Sequence, residues 1–347
     1  MPTDHFTPSA TPSAPATTSL RVGVIGAGGM GTCHATNLDA HPSASVAWVA
    51  DPDETTGKTL ADRFAVPWIV QPSDGIDACD ALVVASPDRF HAHGLNLALD
   101  HGYPVLCEKP LTDRRESAQE VVSREVGLGK RLIQTGFMRV YDHRHLQVRD
   151  ALRPLGPITH VRAVHRNTAQ PGGRTLSDIL VQSIVHDFHT VRWLTGAEFV
   201  AVSTLSVERS SATEFVVISG QLSDGSVATI EFHDNAAGYE VSVEVDTEGG
   251  NVVMADAGNA AVKSQACVTT TIGTDWFAPF LDTYRDEVHH WVDSIIATSD
   301  FSGFEPVPTA WDGLVSQILV DASLESSLQG TPVEVALPER PELYRAA

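Results

Sequence analysis

Residues 21–31 read Arg21-Val22-Gly23-Val24-Ile25-Gly26-Ala27-Gly28-Gly29-Met30-Gly31. Five residues of strand character run into a G-x-G-x-x-G turn, and helical character continues from there to His41. In such a turn one glycine closes the bend, one lets the backbone approach a pyrophosphate, and one lets helix and strand pack closely, with the helix N-terminus facing the anion. Alone the pattern is weak, because glycine-rich turns are common. A second strand-like run, 46–50, ends at Asp51, 20 residues after Gly31. A dinucleotide-binding fold sets an acid there, against the adenosine ribose hydroxyls. The carboxylate would repel a 2′-phosphate and no arginine follows it closely, so NAD is expected in preference to NADP.

The alternation continues downstream. Residues 81–85 read as a buried strand, 88–101 as a helix, 104–107 as a strand, 113–130 as a helix and 131–135 as a strand. This is the pattern of an α/β fold with a doubly wound parallel sheet. Ligands of such sheets gather beyond the carboxyl ends of the strands, and Ser86-Pro87, His91 and Glu108-Lys109-Pro110 fall there. Lys109 is thus aimed at the crevice, and the proline after it restricts its backbone. From about residue 157 the pattern changes to strands at 158–165, 200–207, 214–222, 226–233 and 239–246, with turns at Asp224-Gly225 and Glu248-Gly249-Gly250. They predict a second, mainly antiparallel sheet, interrupted by one helix at 176–194 and followed by helices at 280–297 and 311–328 that return to the first unit.

The 347-residue chain is long enough for two domains. The expected division is a disordered Pro/Ser/Thr/Ala tail at 1–19 without signal-peptide character, a nucleotide domain at 20–140 and a substrate domain at 141–347. With 23 Lys plus Arg against 44 Asp plus Glu, the formal charge is −21, which argues against nucleic acid and anionic membrane surfaces as partners. Four scattered cysteines without a CxxC pair suit free thiols, and no apolar run is long enough to span a membrane. A cytoplasmic location is expected.

Gly26 to Gly31, Asp51, Ser86-Pro87, His91, Glu108-Lys109-Pro110 and Gly136-Phe137-Met138-Arg139 together resemble the Gfo/Idh/MocA oxidoreductases. The resemblance implies a Rossmann domain followed by an α+β domain with a large open-faced sheet, one face of which commonly joins subunits, hence a homodimer or homotetramer. It also implies that Gly26, Gly28, Gly29, Met30, Gly31, Asp51, Ser86, Pro87, His91, Glu108 and Lys109 border NAD, that Lys109 sits beside nicotinamide and substrate, and that its bond to Pro110 is commonly cis. His165-Arg166-Asn167, Gly238-Tyr239-Glu240, Asp275-Trp276 and Ala310-Trp311-Asp312-Gly313 are similar to the inositol 2-dehydrogenase branch, over residues 20 to 335 or so. That likeness makes Met138, Asn167 and Tyr239 candidates for contact with a cyclitol or sugar.

On the 176–194 helix, spacings of four, four and three set Asp178, Gln182, His186 and His189 along one face. A lone histidine there is commonly a hydrogen-bonded structural residue, but the resemblance makes His186 the catalytic histidine that takes the substrate hydroxyl proton. The family's usual partner for it is an aspartate four residues earlier, where this chain has Gln182; His189 likewise replaces an aspartate that contacts substrate hydroxyls. Gln182 is therefore read as an uncharged partner of a less basic His186, and both Gln182 and His189 as substrate neighbours. The i, i+3 spacing of His186 and His189 is a poor match to a helical zinc pair, and no metal is expected. The reaction implied is NAD-dependent oxidation of a secondary alcohol of a cyclitol, most like inositol 2-dehydrogenation. The alternatives are a pyranose, glycoside or aminocyclitol dehydrogenase, or an NAD-bound sensor without turnover.

Replacing Asp51 by Ser and Pro52 by Arg exchanges a ribose-binding anion for a phosphate-binding cation, and should shift preference from NAD toward NADP. An unchanged ratio of kcat/KM for the two cofactors would remove Asp51 from the ribose.

Overall fold

The computed structural model describes residues 19–168, 172–210, 212–254, 261–264, 267–270, 272–297 and 307–345; residues 1–18, almost all of the expected tail, lie outside them. The first half of the chain runs β1 (Leu20–Ile25), α1 (Gly29–Asp39), β2 (Ala44–Ala50), α2 (Glu54–Phe64), β3 (Trp68–Ile69), β4 (Ala81–Val84), α3 (His91–His101), β5 (Val105–Glu108), α4 (Arg115–Leu128), β6 (Ile133–Gly136) and α5 (His143–Leu152). The strands form one parallel sheet in the order β3-β2-β1-β4-β5-β6. Helices cover both faces, so its central strands are apolar on both: every residue of β4 is buried, as are Val105, Leu106 and Cys107 of β5. The strand order reverses between β1 and β4, and this switch point opens a crevice at their carboxyl ends.

Between residues 51 and 81 the structure contains two elements with little sequence signal. Helix α2 buries only Gly57, Leu60 and Ala61, too narrow a stripe to announce a helix, although Asp53 caps it by accepting from Thr56 N. Strand β3 has two residues.

The second sheet has seven strands in the order β12-β11-β7-β10-β9-β8-β15. They are β7 (Ile158–Thr168), β8 (Phe199–Arg209), β9 (Ala212–Leu222), β10 (Val227–Ala236), β11 (Glu240–Thr247), β12 (Gly250–Val253) and β15 (Val333–Glu334); β13 (Ala261–Ser264) and β14 (Cys267–Thr270) form a separate hairpin. It is mainly antiparallel, as expected, except that the central strands β7 and β10 run parallel. Period-two burial is clear in β10, where Ala228, Ile230 and Phe232 face the core while Glu231 pairs with Arg162 of β7 on the other face.

One face of this sheet carries α6 (Leu176–Ile179), a π turn (Leu180–Ile184), α7 (Val185–Thr195) and α9 (Ala310–Gln329). Helix α9 is buried over most of its length and touches β8, α4 and β6, joining the two sheets, while α8 (Leu281–Ile296) packs on α1. At Gly313 of α9 a β-carbon would lie 2.7 Å from Leu111 Cβ, so that helix is seated directly on the end of the Glu108-Lys109-Pro110 turn. Among the described residues no helix is long and apolar enough to cross a membrane.

Buried Glu125 of α4 ties the chain's end to the first sheet. Its Oε1 accepts from Leu132 N at 2.6 Å and Ile133 N at 2.7 Å, while the Tyr344 hydroxyl donates to Oε2. Tyr344→Phe leaves that oxygen buried without a donor and should cost about 1–3 kcal/mol, seen as a lower midpoint of thermal unfolding. An unchanged midpoint would mean that water replaces the hydroxyl.

Candidate functional site

Two adjoining cavities lie at the carboxyl ends of the parallel strands. The larger, about 730 Å³, is bordered by Gly26, Gly28, Gly29, Met30, Asp51, Ser86 and Pro87. Gly26 has φ of +99°, and a β-carbon on it would stand 2.6 Å from the Ala85 carbonyl. A β-carbon on Gly31 would fall 1.9 Å from Gly26 O, so this glycine sets the helix–strand approach and stays out of the cleft. Side chains at Gly28 or Gly29 would meet nothing and would project into open space at the start of α1. A bare backbone at the N-terminus of an eleven-residue helix is the shape a pyrophosphate requires, and the cleft fits a dinucleotide. The Asp51 carboxylate accepts from Ala27 N at 2.8 Å and Asp53 N at 2.9 Å, so it braces the glycine loop while bordering the cleft.

The second cavity, about 380 Å³, is lined by Lys109, Met138, Asn167, Gln182, His186 and Tyr239, together with Glu108, Arg139, Arg174, Ser183 and Tyr284. Met30 borders both cavities, which adjoin at that side chain. Elements from both halves of the chain thus bring together residues up to 209 positions apart in sequence, Met30 and Tyr239 being the extremes of the expected set.

Lys109 is half-buried, its bond to Pro110 is cis, and its Nζ donates to the Gln182 carbonyl at 2.8 Å. Burial draws the ammonium pKa below 10.5; Glu108 opposes this, while Arg139 and Arg174 add to it. Glu108 borders the second cavity, not the nucleotide cleft. Burial alone would raise its pKa, but the hydrogen bond and charge of His34, with Lys109 beyond, hold it below the ordinary carboxylate value. His91 borders neither cavity: it is buried, with Nδ1 2.7 Å from Pro110 O and Nε2 2.8 Å from Ser86 O, and joins two turns instead of touching a ligand.

The His186 imidazole is held well below 6.5, first by burial and then by the charges of Lys109 and Arg139. Its Nδ1 is buried without a hydrogen-bond partner. The expected Gln182–imidazole bond is absent. The π turn inserts an extra residue into that helical turn, so a four-residue spacing no longer superposes side chains. Gln182 is exposed and serves Lys109 through its backbone carbonyl. Asp178 is not part of a polar stripe either, since it forms a capping box with Thr175. His189 is a second correction. It lies outside both cavities, stacked on Phe137 with ring centroids 4.4 Å apart, and burial takes its pKa down to about 3 against the opposing charge of Asp312.

Two buried ion pairs stiffen the wall, and the sequence reading missed both. Arg139 donates to Asp187 at 2.5 Å, and His165 Nδ1 lies 3.1 Å from the same carboxylate. Arg174 donates to both oxygens of Asp234 and, at 3.0 Å, to Ser183 Oγ; with its amide turned to satisfy both ends, Asn167 accepts from the same guanidinium at 2.9 Å. Arg174 had a readable signal, since it follows Gly172-Gly173, but its partner 60 residues away did not. Among the described residues no group of three or more His, Cys, Asp or Glu is arranged to hold a metal.

The family model described as "Oxidoreductase family, NAD-binding Rossmann fold" matches residues 20–137, and "Oxidoreductase family, C-terminal alpha/beta domain" matches residues 155–335. Inositol 2-dehydrogenase of Rubrobacter xylanophilus is 34% identical over 337 residues, 94% of this chain and 96% of its own. Inositol 2-dehydrogenase 4 of Saccharopolyspora erythraea is 33% identical over 337 residues, with 94% and 98% covered. The structure of myo-inositol dehydrogenase from Lactobacillus casei in complex with NAD(H) and myo-inositol superposes with a TM-score of 0.87 at 27% identity, covering 94% of this chain and 100% of that one.

Asp187 lies in the wall behind the second cavity. Burial would raise its pKa, but Arg139 and His165 hold it down to about 2. Its stabilising effect is therefore full above the unfolded value near 3.8 and lost as pH falls through about 2. Asp187→Asn strands a buried guanidinium and should cost about 3–5 kcal/mol near neutrality. Denaturant unfolding across pH should show the gap between variant and wild type closing toward acid; a gap independent of pH would refute the charge pairing.

Proposed function

The chain belongs to the Gfo/Idh/MocA oxidoreductase family, and from that premise we propose that it oxidises a ring secondary alcohol of a cyclitol with NAD, as an inositol dehydrogenase. The observation that carries this reading is the junction at Met30: the cleft suited to a dinucleotide adjoins a polar cavity on which Lys109 and His186 both border. NAD, when bound, accepts a hydride from the carbinol carbon. The chain's own residues manage the oxygen. The Lys109 ammonium, pinned at Nζ by a carbonyl, donates to that oxygen and stabilises the charge that develops as its proton departs. His186 is the base; with Nδ1 enclosed, Nε2 is the nitrogen that serves the cavity. Met138, Asn167, Tyr239 and Gln182 hold the ring, and Asp51 meets the adenosine ribose.

Of the other substrates considered, an aminocyclitol fits least. The wall presents Lys109, Arg139 and Arg174 against one acid, Glu108, while the countercharges Asp187 and Asp234 stand behind it. A neutral polyol meets no such penalty. We place the enzyme in the cytoplasm, in keeping with free Cys33, Cys79 and Cys107, and as a homodimer or homotetramer paired through the outer face of the second sheet, where Leu205 is 69% exposed.

The test is NADH formation with a panel of inositol isomers, neutral pyranoses and an aminocyclitol. Neutral cyclitols should react best, and Lys109→Ala should lower kcat by about a hundredfold or more while NAD still binds. Because the base must be neutral and its pKa is depressed, activity should persist below pH 6.5 and fall only as pH drops through the lowered value. NAD left unreduced by every ring polyol would overturn the assignment.

A further inference from the structure

Both sides of the Glu108-Lys109-Pro110 turn are gripped by buried histidines that take no part in the proposed chemistry. His91 holds the far side, through Pro110 O and Ser86 O. On the near side His34, fully buried in α1, sets Nε2 2.8 Å from Glu108 Oε1, and Glu108 Oε2 accepts from Lys109 N at 3.2 Å. His34 borders neither cavity. It stands five residues after Gly29, about 7.5 Å along the helix whose first residues border the nucleotide cleft.

We propose that His34 is a positioning residue for Lys109: acting through Glu108, it fixes the place and charge of the lysine from the same helix that receives the pyrophosphate. The inference rests on the reading of Lys109 given above. A buried carboxylate keeps its charge only with a partner. His34 is the largest influence holding Glu108 ionised, with Lys109 and His91 assisting. Cys33, Tyr284 and Glu287 also face it; Glu287 is buried without a hydrogen-bond partner, and burial pushes its pKa well up. Around Lys109 the anions are Glu108 and Asp88, the cations are Arg139 and Arg174, and His186 stands across the cavity. Of the two anions, Glu108 does more to oppose loss of the ammonium's proton. If His34 no longer holds the Glu108 carboxylate beside the turn, Lys109 loses its closest anion and becomes easier to deprotonate. Helix α1 is stiff enough to carry the restraint, because α8 packs along it.

The chain has only four lysines, Lys58, Lys109, Lys130 and Lys263, so the protonation of Lys109 can be read without substrate. Trace acetylation by acetic anhydride across pH, mapped by mass spectrometry, gives a labelling midpoint for each amine in the whole protein. His34→Gln, whose amide does not reproduce the placement of the imidazole Nε2 at 2.8 Å from Glu108 Oε1, should move the Lys109 midpoint down by about one pH unit and leave Lys58 where it was. The kcat for NAD reduction should drop roughly tenfold, with its basic limb at lower pH and the KM for NAD within about threefold. Glu108→Gln should shift the same midpoint in the same direction, and stands in if His34→Gln does not fold. A Lys109 midpoint unmoved in the folded variants overturns the proposal, as does a loss confined to thermal stability. Wild-type protein that fails to oxidise any ring polyol sinks the functional reading instead, and leaves the labelling result standing.

Discussion

One ammonium group must be kept charged and stationary at the edge of an apolar interior, and much of the surrounding structure follows from that requirement. Water would solvate Lys109 fully but would let it wander; burial fixes it but favours loss of its proton. The chain resolves the conflict with short-range contacts. Glu108 supplies the neighbouring anion, the Gln182 carbonyl receives the ammonium, and the turn itself is trapped between β5, α1 and α3. The parallel sheet brings Lys109 to the crevice, while the second sheet and its helix supply the far wall.

The remaining charges near the cavity are arranged to neutralise one another out of contact with a ligand. Arg139 leans on Asp187, Arg174 on Asp234, and Arg192 on Glu198 and Asp312. Each pair is costly to desolvate and more costly to break, so such pairs act chiefly as rigid framing. A chain of net charge −21 thereby presents a cavity wall on which three cations face one acid, with their countercharges set behind it. His186, unprotonated in that setting, is available to accept a proton.

The fold was legible in the sequence wherever burial was two-sided or strictly periodic. The glycine turn, the apolar strands β4 and β5 and the alternating β10 all signal themselves, whereas α2 and β3, with few buried side chains, do not. Within the site, the residues flanking glycine or proline were readable because the backbone dictates where they point. Gln182 was misread as the partner of His186 because a four-residue spacing presumes 3.6 residues per turn and the π turn at Leu180–Ile184 breaks the count, whereas His189 shares α7 with His186 and its stacking on Phe137 is a tertiary contact that spacing does not carry. The parallel pairing of β7 with β10 and the Arg174–Asp234 pair depend on contacts across 60 residues or more, which local pattern cannot carry.

The seating of α9 on the Glu108-Lys109-Pro110 turn bears on how this chain can drift over generations. Gly313 is hemmed in by Leu111 Cβ at 2.7 Å and by Thr135 Oγ1 at 3.1 Å. No larger residue enters position 313 unless Leu111 shrinks in the same lineage, and a smaller Leu111 loosens the residue next to Pro110. Two positions 202 apart in the sequence are thereby bound into a single heritable unit.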